Sequence, residues 1–353
     1  FSSASDLTAA RLSLQYPSRV RWLKRISLAL GISLVVVVAV LAGGSLLALD
    51  WDRQHSARTD ALSFFQKDHS DGLVRIQAND MTFRSRVYGL SNRGPGLLLL
   101  HGFPETSDMW EPLGLAAAAA GYRVVAFDQR GYSPGARPKG VALYAAIELA
   151  EDVLAVADAV GFERFHLAGH DWGCNVGWTD TIQNPARVLS WSGLSIPHPS
   201  TLLADVARDP PTYIKVFTAP WIPEVMLTFN DLAGLRRTYE LATSDQRDEY
   251  LEVCSEPGAL TAALNWYRAI PASFEVLDEL TLPIRTSTLI IYGTGEMWVT
   301  PDYLERQRGF VTGPYQELEL DAGHWLMQQQ TEAVVAAVLA HLQRVDDAPS
   351  TGP

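Results

Sequence analysis

The chain has 353 residues, 47% of them hydrophobic and 10% aromatic, enough apolar material for a large domain with an insertion and too much for a disordered or low-complexity chain. Its 28 Lys and Arg against 40 Asp and Glu give a formal net charge of −12, which offers no basic surface to a phosphate backbone and argues against nucleic-acid binding as the main role. Two cysteines, Cys174 and Cys254, with no Cys-x-x-Cys pair, exclude a disulfide framework and a structural zinc site.

In chain order, residues 1–25 hold Arg11, Arg19, Arg21, Lys24 and Arg25 against Asp6 alone, a net +4 that leaves −16 for the remainder. Residues 26–49 follow without a charge; as a helix they extend about 36 Å, beyond the ~30 Å hydrocarbon layer. The run reads as a transmembrane anchor, since the apolar core of a cleaved signal peptide is usually about 7–15 residues long. Basic residues ahead of it, with Asp50 and Asp52 behind it, predict a single-pass membrane protein with a cytoplasmic N-terminus, or a secreted one were the run cleaved. A polar linker spans 50–72.

Beyond the linker, 74–78 and 81–89 read as antiparallel strands, while 97–100 (LLLL), 123–128 and 164–169 read as buried strands of a parallel sheet. Helical patterns at 108–120 and 143–160 stop at Gly121 and Gly161. The alternation continues with strands at 188–194, 288–293 and 315–321 and helices near 301–309 and 331–346. It is interrupted at 197–283, where nine prolines and helical stretches such as ALNWYRAI include no buried-strand run. The predicted architecture is α/β: a mostly parallel sheet with helices on both faces, formed by 73–196 and 284–346, with a helical lid over 197–283 and a tail at 347–353. In such sheets ligands bind at the carboxyl ends of the strands.

The segment FHLAGHDWGCNVGW at 165–178 runs a buried strand through Gly169-His170-Asp171-Trp172-Gly173 into a helix, the tight turn that presents a strained nucleophile between small residues. The nucleophile position holds Asp171. A carboxylate attacks saturated carbon and forms an alkyl ester, so such a site opens strained rings or displaces halide. Hydrolysis of that ester needs a base for water, and His324 in AGHW follows the last strand. It also needs an acid to orient the imidazole; Glu296, three residues past Gly293, is the candidate and Asp302 the fallback. The order Asp171, Glu296, His324 is the nucleophile, acid, histidine order of hydrolases built on this kind of sheet. His101-Gly102-Phe103-Pro104, after LLLL, stands where half of an oxyanion hole is supplied, and the backbone N–H groups of Phe103 and Trp172 are the assigned donors. Cys174 reads as a small buried hydrophobe.

These residues resemble the epoxide hydrolases of the α/β-hydrolase fold over roughly 74–345, through HGFPE (101–105), DQRGY (128–132), GHDWG (169–173), PHP (197–199), NWYR (265–268) and AGHW (322–325). The resemblance implies an enzyme that needs no metal or cofactor and turns a hydrophobic epoxide into a vicinal diol. It implies that Tyr267 in NWYR and Tyr213, set ahead of Pro220 and Pro223, hydrogen-bond the epoxide oxygen, and that Phe103, Trp172 and Trp266 contact substrate. Departures from the usual pattern are Glu296, where Asp is commoner, Cys174, and the stretch GYSPGARP.

Two rival functions share part of this pattern. Haloalkane dehalogenases have the same Asp nucleophile, but commonly carry Asn where Phe103 stands and have no need of a tyrosine pair. A membrane-tethered binding protein using the fold without turnover is the rival from another class.

Overall fold

The computed structural model describes residues 31–36, 38–39, 58–273 and 281–348. Residues 1–52 and 53–353 form separate units. In the first, residues 31–36 and 38–39 are helical, with Ile32, Leu34, Val35, Val36 and Val38 exposed. The anchor expected over 26–49 otherwise lies outside the described residues, as do the basic segment 1–25 and most of the tail. No described helix is long and apolar enough to cross a membrane. Part of the expected linker is folded: Phe65 N–H donates to the Arg75 carbonyl (2.8 Å) and Thr59 is buried.

The second unit is built on eight strands: β1 (Gly72–Ala78), β2 (Met81–Tyr88), β3 (Gly96–Leu100), β4 (Arg123–Phe127), β5 (Phe165–His170), β6 (Val188–Leu194), β7 (Ser287–Gly293) and β8 (Tyr315–Leu320). Their order across the sheet is β1-β2-β4-β3-β5-β6-β7-β8. The β1·β2 and β2·β4 pairs are antiparallel and the other five parallel. The uninterrupted apolar runs explain the parallel part, because strands covered on both faces need apolar side chains at every position; Leu97 to Leu100 are all fully buried.

Helices α1 (Glu111–Ala119), α2 (Ala146–Ala159) and α3 (Trp172–Gln183) alternate with these strands. The helix expected over 108–120 is divided: a 3-10 turn occupies Ser107–Trp110, and α1 starts afresh with Pro112 in its first turn, the part of a helix where a missing N–H does no harm. Likewise the pattern at 143–160 breaks at Ala145, whose backbone is extended. The remaining helices follow β6: α4 (Pro199–Arg208), α5 (Thr212–Phe217), α6 (Ile222–Thr238), α7 (Ser244–Ser255), α8 (Ala259–Arg268) and α9 (Ile270–Ser273) lie before β7, α10 (Pro301–Arg308) follows β7, and α11 (Leu326–Gln329) and α12 (Thr331–Asp346) follow β8. Both faces of the sheet are covered, as adjacent residues of β6 show. Trp191 meets Trp178 of α3 (5.7 Å between rings), while Ser192 hydrogen-bonds His341 of α12 (2.9 Å), and successive strand residues point to opposite faces.

Between β6 and β7 the described residues contain helices and no strand. Within α6, Phe229 is extended and Asn230, Asp231 and Leu232 have positive φ, so two helical pieces meet at a kink. An ionic seam fastens this insertion to the sheet. Arg84 of β2 pairs with Asp128 beyond β4 (2.6 Å) and with Glu249 of α7 (3.1 Å); Arg86 also reaches Glu249, and Thr106 Oγ1 donates to it (2.6 Å). Burial would raise the Asp128 carboxyl, and the two guanidinium groups outweigh that and hold it well below the usual range.

One buried carboxyl has no such partner. Asp180 of α3 is fully buried; its Oδ1 accepts from Asn184 Nδ2 (2.8 Å) and its Oδ2 meets no hydrogen-bond donor. Burial pushes its pKa up to about 7, above the ~3.9 of an unfolded Asp. The folded state therefore holds a proton that the unfolded chain has lost, and stability declines as pH rises from about 4 through about 7. Asp180→Asn is expected to raise Tm by about 5 °C at pH 8 and by much less at pH 5. Calorimetric scans at the two pH values check this, and an equal shift at both would remove the titration as its cause.

Candidate active site

β5 ends at His170 and α3 begins at Trp172, so the entire turn is made at Asp171, with φ 52° and ψ −120°. A non-glycine residue held there is strained, and such strain persists where the surroundings fix it. The flanking glycines permit the close approach: a Cβ on Gly169 would sit 2.3 Å from the Gly173 carbonyl oxygen, and one on Gly173 would sit 2.1 Å from that of Leu100. The Asp171 side chain makes no capping bond to α3, and Trp172, at the first position of the helix, has no intrahelical acceptor for its N–H. Phe103 N–H donates to Asp171 Oδ1 (2.8 Å).

The loops after β7 and β8 are stitched together, Thr294 N–H to the Leu320 carbonyl (2.9 Å) and Gly295 N–H to that of Ala322 (2.9 Å). This brings His324 Nδ1 to 2.6 Å from Glu296 Oε2, while His324 Nε2 stands 3.3 Å from Asp171 Oδ2. Glu296 Oε1 accepts from Trp298 N–H (3.0 Å). Burial alone would drive the His324 ring neutral; the hydrogen bonds and charges of Asp171 and Glu296 outweigh it and hold the pKa up to about 10. In turn burial would raise Asp171, and His324, His170 and the Phe103 N–H together hold it below the usual carboxylate value. Asp302, the fallback acid, is not brought in: it is exposed at the start of α10 and pairs with Arg306 (2.8 Å).

From the insertion, α5 carries Tyr213 and α8 carries Tyr267 over this group, their rings 6.3 Å apart and nearly perpendicular. The Trp172 ring packs edge-on against Tyr267 (5.0 Å between centroids) and the Trp298 ring against Tyr213 (6.0 Å). Burial, with the Asp171 charge nearby, pushes both phenols well above their ordinary pKa, so each stays an O–H donor.

Residues 95–329 match the family model described as the alpha/beta hydrolase fold. Epoxide hydrolase A of Mycobacterium tuberculosis is 31% identical over 307 residues, an alignment covering 73% of this chain and 94% of the relative. Epoxide hydrolase 4 of Homo sapiens is 31% identical over 279 residues, covering 74% and 75%. The crystal structure of epoxide hydrolase A from Mycobacterium thermoresistibile superposes with a TM-score of 0.70 at 27% identity, over 78% of this chain and 98% of that one. The chain belongs to the epoxide hydrolases of the α/β-hydrolase fold.

In this epoxide hydrolase two cavities meet at Asp171, Tyr213, Tyr267 and Trp298. One, of about 60 Å³, is walled by Ile196, Leu202, Val206 and Ile270; the other, of about 310 Å³, passes Phe217, Leu227 and Met297. Phe103 lines the larger and Trp172 the smaller, whereas Trp266 lines neither. The expectation for Trp266 is corrected: it is fully buried, its indole donates to the Arg130 carbonyl (2.9 Å), and it packs on Tyr132 and His101. Adjacent helix residues diverge by about 100°, so a helix that turns Tyr267 to the cavity turns Trp266 into the core.

The hydrolase also holds partners that sequence reasoning missed. His170, next to the nucleophile, places Nδ1 3.1 Å from Glu105 Oε2 and donates from Nε2 to the His324 carbonyl oxygen (2.9 Å). Glu105 Oε1 accepts from Gln328 Nε2 (2.6 Å). This chain of contacts supports the His324 loop from beneath. Glu105 and His170 fall inside HGFPE and GHDWG, which was the available signal; nothing in the sequence marked Gln328 or Trp298. Cys174 is fully buried and its thiol points to the Ile196 carbonyl (3.1 Å), with burial pushing the pKa up, as expected of a packing residue. Among the described residues no cluster of His, Cys, Asp or Glu is arranged to hold a metal.

Proposed function

We propose that this epoxide hydrolase takes hydrophobic epoxides and opens them through an alkyl ester on Asp171. The observation that carries the reading is the position of one carboxylate, 3.3 Å from His324 on one side and open on the other to cavities shared with two phenols. Asp171 Oδ2 attacks a ring carbon; the carbon–oxygen bond breaks, and the epoxide oxygen takes a proton from Tyr213 or Tyr267. Oδ1, held by Phe103 N–H, becomes the ester carbonyl oxygen.

Ester formation removes the Asp171 charge, one of the two that keep His324 protonated. The imidazole pKa falls, its proton returns to the tyrosinate, and neutral Nε2 takes a proton from the water that attacks the ester carbon. Phe103 and Trp172 N–H groups hold the oxyanion. Collapse expels the diol oxygen, which takes the proton of the new carboxylic acid, and leaves Asp171 ionised beside a protonated His324. Glu296 fixes the ring through its bond to His324 Nδ1.

Single turnover in H₂¹⁸O tests the ester. The expected first-turnover diol carries no ¹⁸O while Asp171 gains it; ¹⁸O in that diol means direct attack by water and ends the proposal. Incubation with a 1-haloalkane, following halide, addresses the dehalogenase alternative. A turnover test across epoxides separates either enzyme from a silent binding protein.

Trp298 enters the same scheme through its indole. Trp298→Ala removes the ring packed edge-on against Tyr213, a loss of about 1 kcal/mol or about fivefold in kcat/KM. Steady-state kinetics of this variant beside Tyr213→Phe are expected to be non-additive. The lid role of 197–283 and attachment through 26–49 belong to the same proposal: a site with a largely apolar lining and a membrane-length run both suit a substrate dissolved in lipid.

A further inference from the structure

The insertion has an apolar face that neither the sheet nor the cavities use. Trp221, Ile222, Val225, Met226 and Phe229 are 69%, 39%, 54%, 57% and 73% exposed. Ile222, Val225 and Met226, three and four residues apart, share one side of the first piece of α6, with Trp221 just ahead of it and Phe229 at the kink that ends it, while Leu227, on its other side, lines the larger cavity. Met297, also lining that cavity, is 63% exposed. Clustered exposure on this scale, unlike scattered single residues, marks a surface that meets a partner.

Three observations say which partner. The chain carries an uncharged run of 24 residues at 26–49, long enough to cross a bilayer. Residues 50–57, eight in number, reach at most about 30 Å, and the chain then joins the body at the insertion itself, where Arg58 pairs with Glu252 of α7, a helix that packs on α6. Glu224, the one acid between Trp221 and Phe229, is paired with Arg268 (2.9 Å), so no free carboxylate lies within the face itself. Tryptophan beside aliphatic residues is the composition of surfaces that lie in the membrane interface.

We infer that the face made by Trp221, Ile222, Val225, Met226 and Phe229 rests in the bilayer that holds the 26–49 run, so that the larger cavity draws its epoxide from lipid. The inference rests on the anchoring reading above and extends it to a second contact. It adds a route for substrate: apolar epoxides partition into the acyl layer and pass along α6 to Asp171 without crossing bulk water.

The two native cysteines are buried, so a single engineered thiol labels selectively. The full chain with Met226→Cys carrying an environment-sensitive fluorophore, reconstituted in phosphatidylcholine vesicles, is expected to show a blue shift and quenching by brominated acyl chains; Glu163→Cys, exposed just ahead of the amino end of β5, is expected to show neither. A Val225→Ser/Met226→Ser/Phe229→Ser variant is expected to raise KM about tenfold for a long-chain epoxide dissolved in vesicles, leaving KM for a water-soluble epoxide unchanged. Flotation with vesicles while the 226 label stays in water overturns the face and leaves the anchor standing. No flotation overturns both, and epoxide turnover in the same samples reports the catalytic reading separately. A shift without vesicles that grows with protein concentration assigns the face to a second copy and also overturns the inference.

Discussion

Asp171→Asn is expected to lower diol formation by about 10⁴-fold or more, the scale of removing a covalent nucleophile. The substitution preserves shape: Oδ1 can still accept from Phe103 N–H, and the turn at positive φ tolerates Asn well. What it removes is the charge that holds the proton on His324 and that the proposed mechanism uses to attack carbon. Two readouts follow from one change. Single-turnover assays should show no ester, and the His324 ring, left with Glu296 alone, should titrate below the value of about 10 it has with both carboxylates, as followed by ¹⁵N NMR of the imidazole. The variant needs mass analysis, because deamidation of the introduced amide would restore Asp171. Activity within tenfold of the native enzyme in protein verified to be free of deamidation would show that Asp171 is not the nucleophile.

The second large effect separates the two halves of the reaction. His324→Gln leaves Asp171, Tyr213 and Tyr267 in place, so ring opening proceeds while ester hydrolysis loses its base, a slowing of about 10²–10⁴-fold. One equivalent of epoxide should be consumed in a burst, followed by a stall, with the protein mass raised by that of the substrate and the added mass mapped to the peptide containing Asp171. Steady turnover at the native rate, or an untouched epoxide with no adduct, would each contradict the assignment. Glu296→Gln should fall between, since Gln can still accept from His324 Nδ1 but no longer stabilises the imidazolium.

Much of this site was readable because its chemistry is written in local sequence. Asp171 sits in the turn after an apolar run that reaches Gly169, and His324 in the short loop after the last strand, each position announced by the strand before it. Glu296 was readable for the same reason, but choosing it over Asp302 was a question of loop path: the two are six residues apart, and only the hydrogen bonds between the β7 and β8 loops decide which one reaches the histidine. Trp266 shows the opposite failure. Membership of a motif placed it near the substrate, while the helical rotation relative to Tyr267 sends it inward. Gln328 and Trp298 act through contacts with residues distant in sequence, which no local pattern encodes. The ionic seam was invisible for a related reason, since Arg84 and Glu249 are 165 residues apart.

The arrangement of strands around the insertion bears on how such an enzyme can change. β6 and β7 are hydrogen-bonded neighbours, so the chain leaves the sheet and comes back to it at adjoining places, and the framework holding Asp171, Glu296 and His324 is continuous without anything in between. The intervening helices can therefore be exchanged as a cassette, which would let new substrate ranges arise while the reaction is kept. The requirement on a foreign cassette is electrostatic more than geometric: it must bring an acid to the place of Glu249, or two arginines of β2 are left under-compensated beneath it.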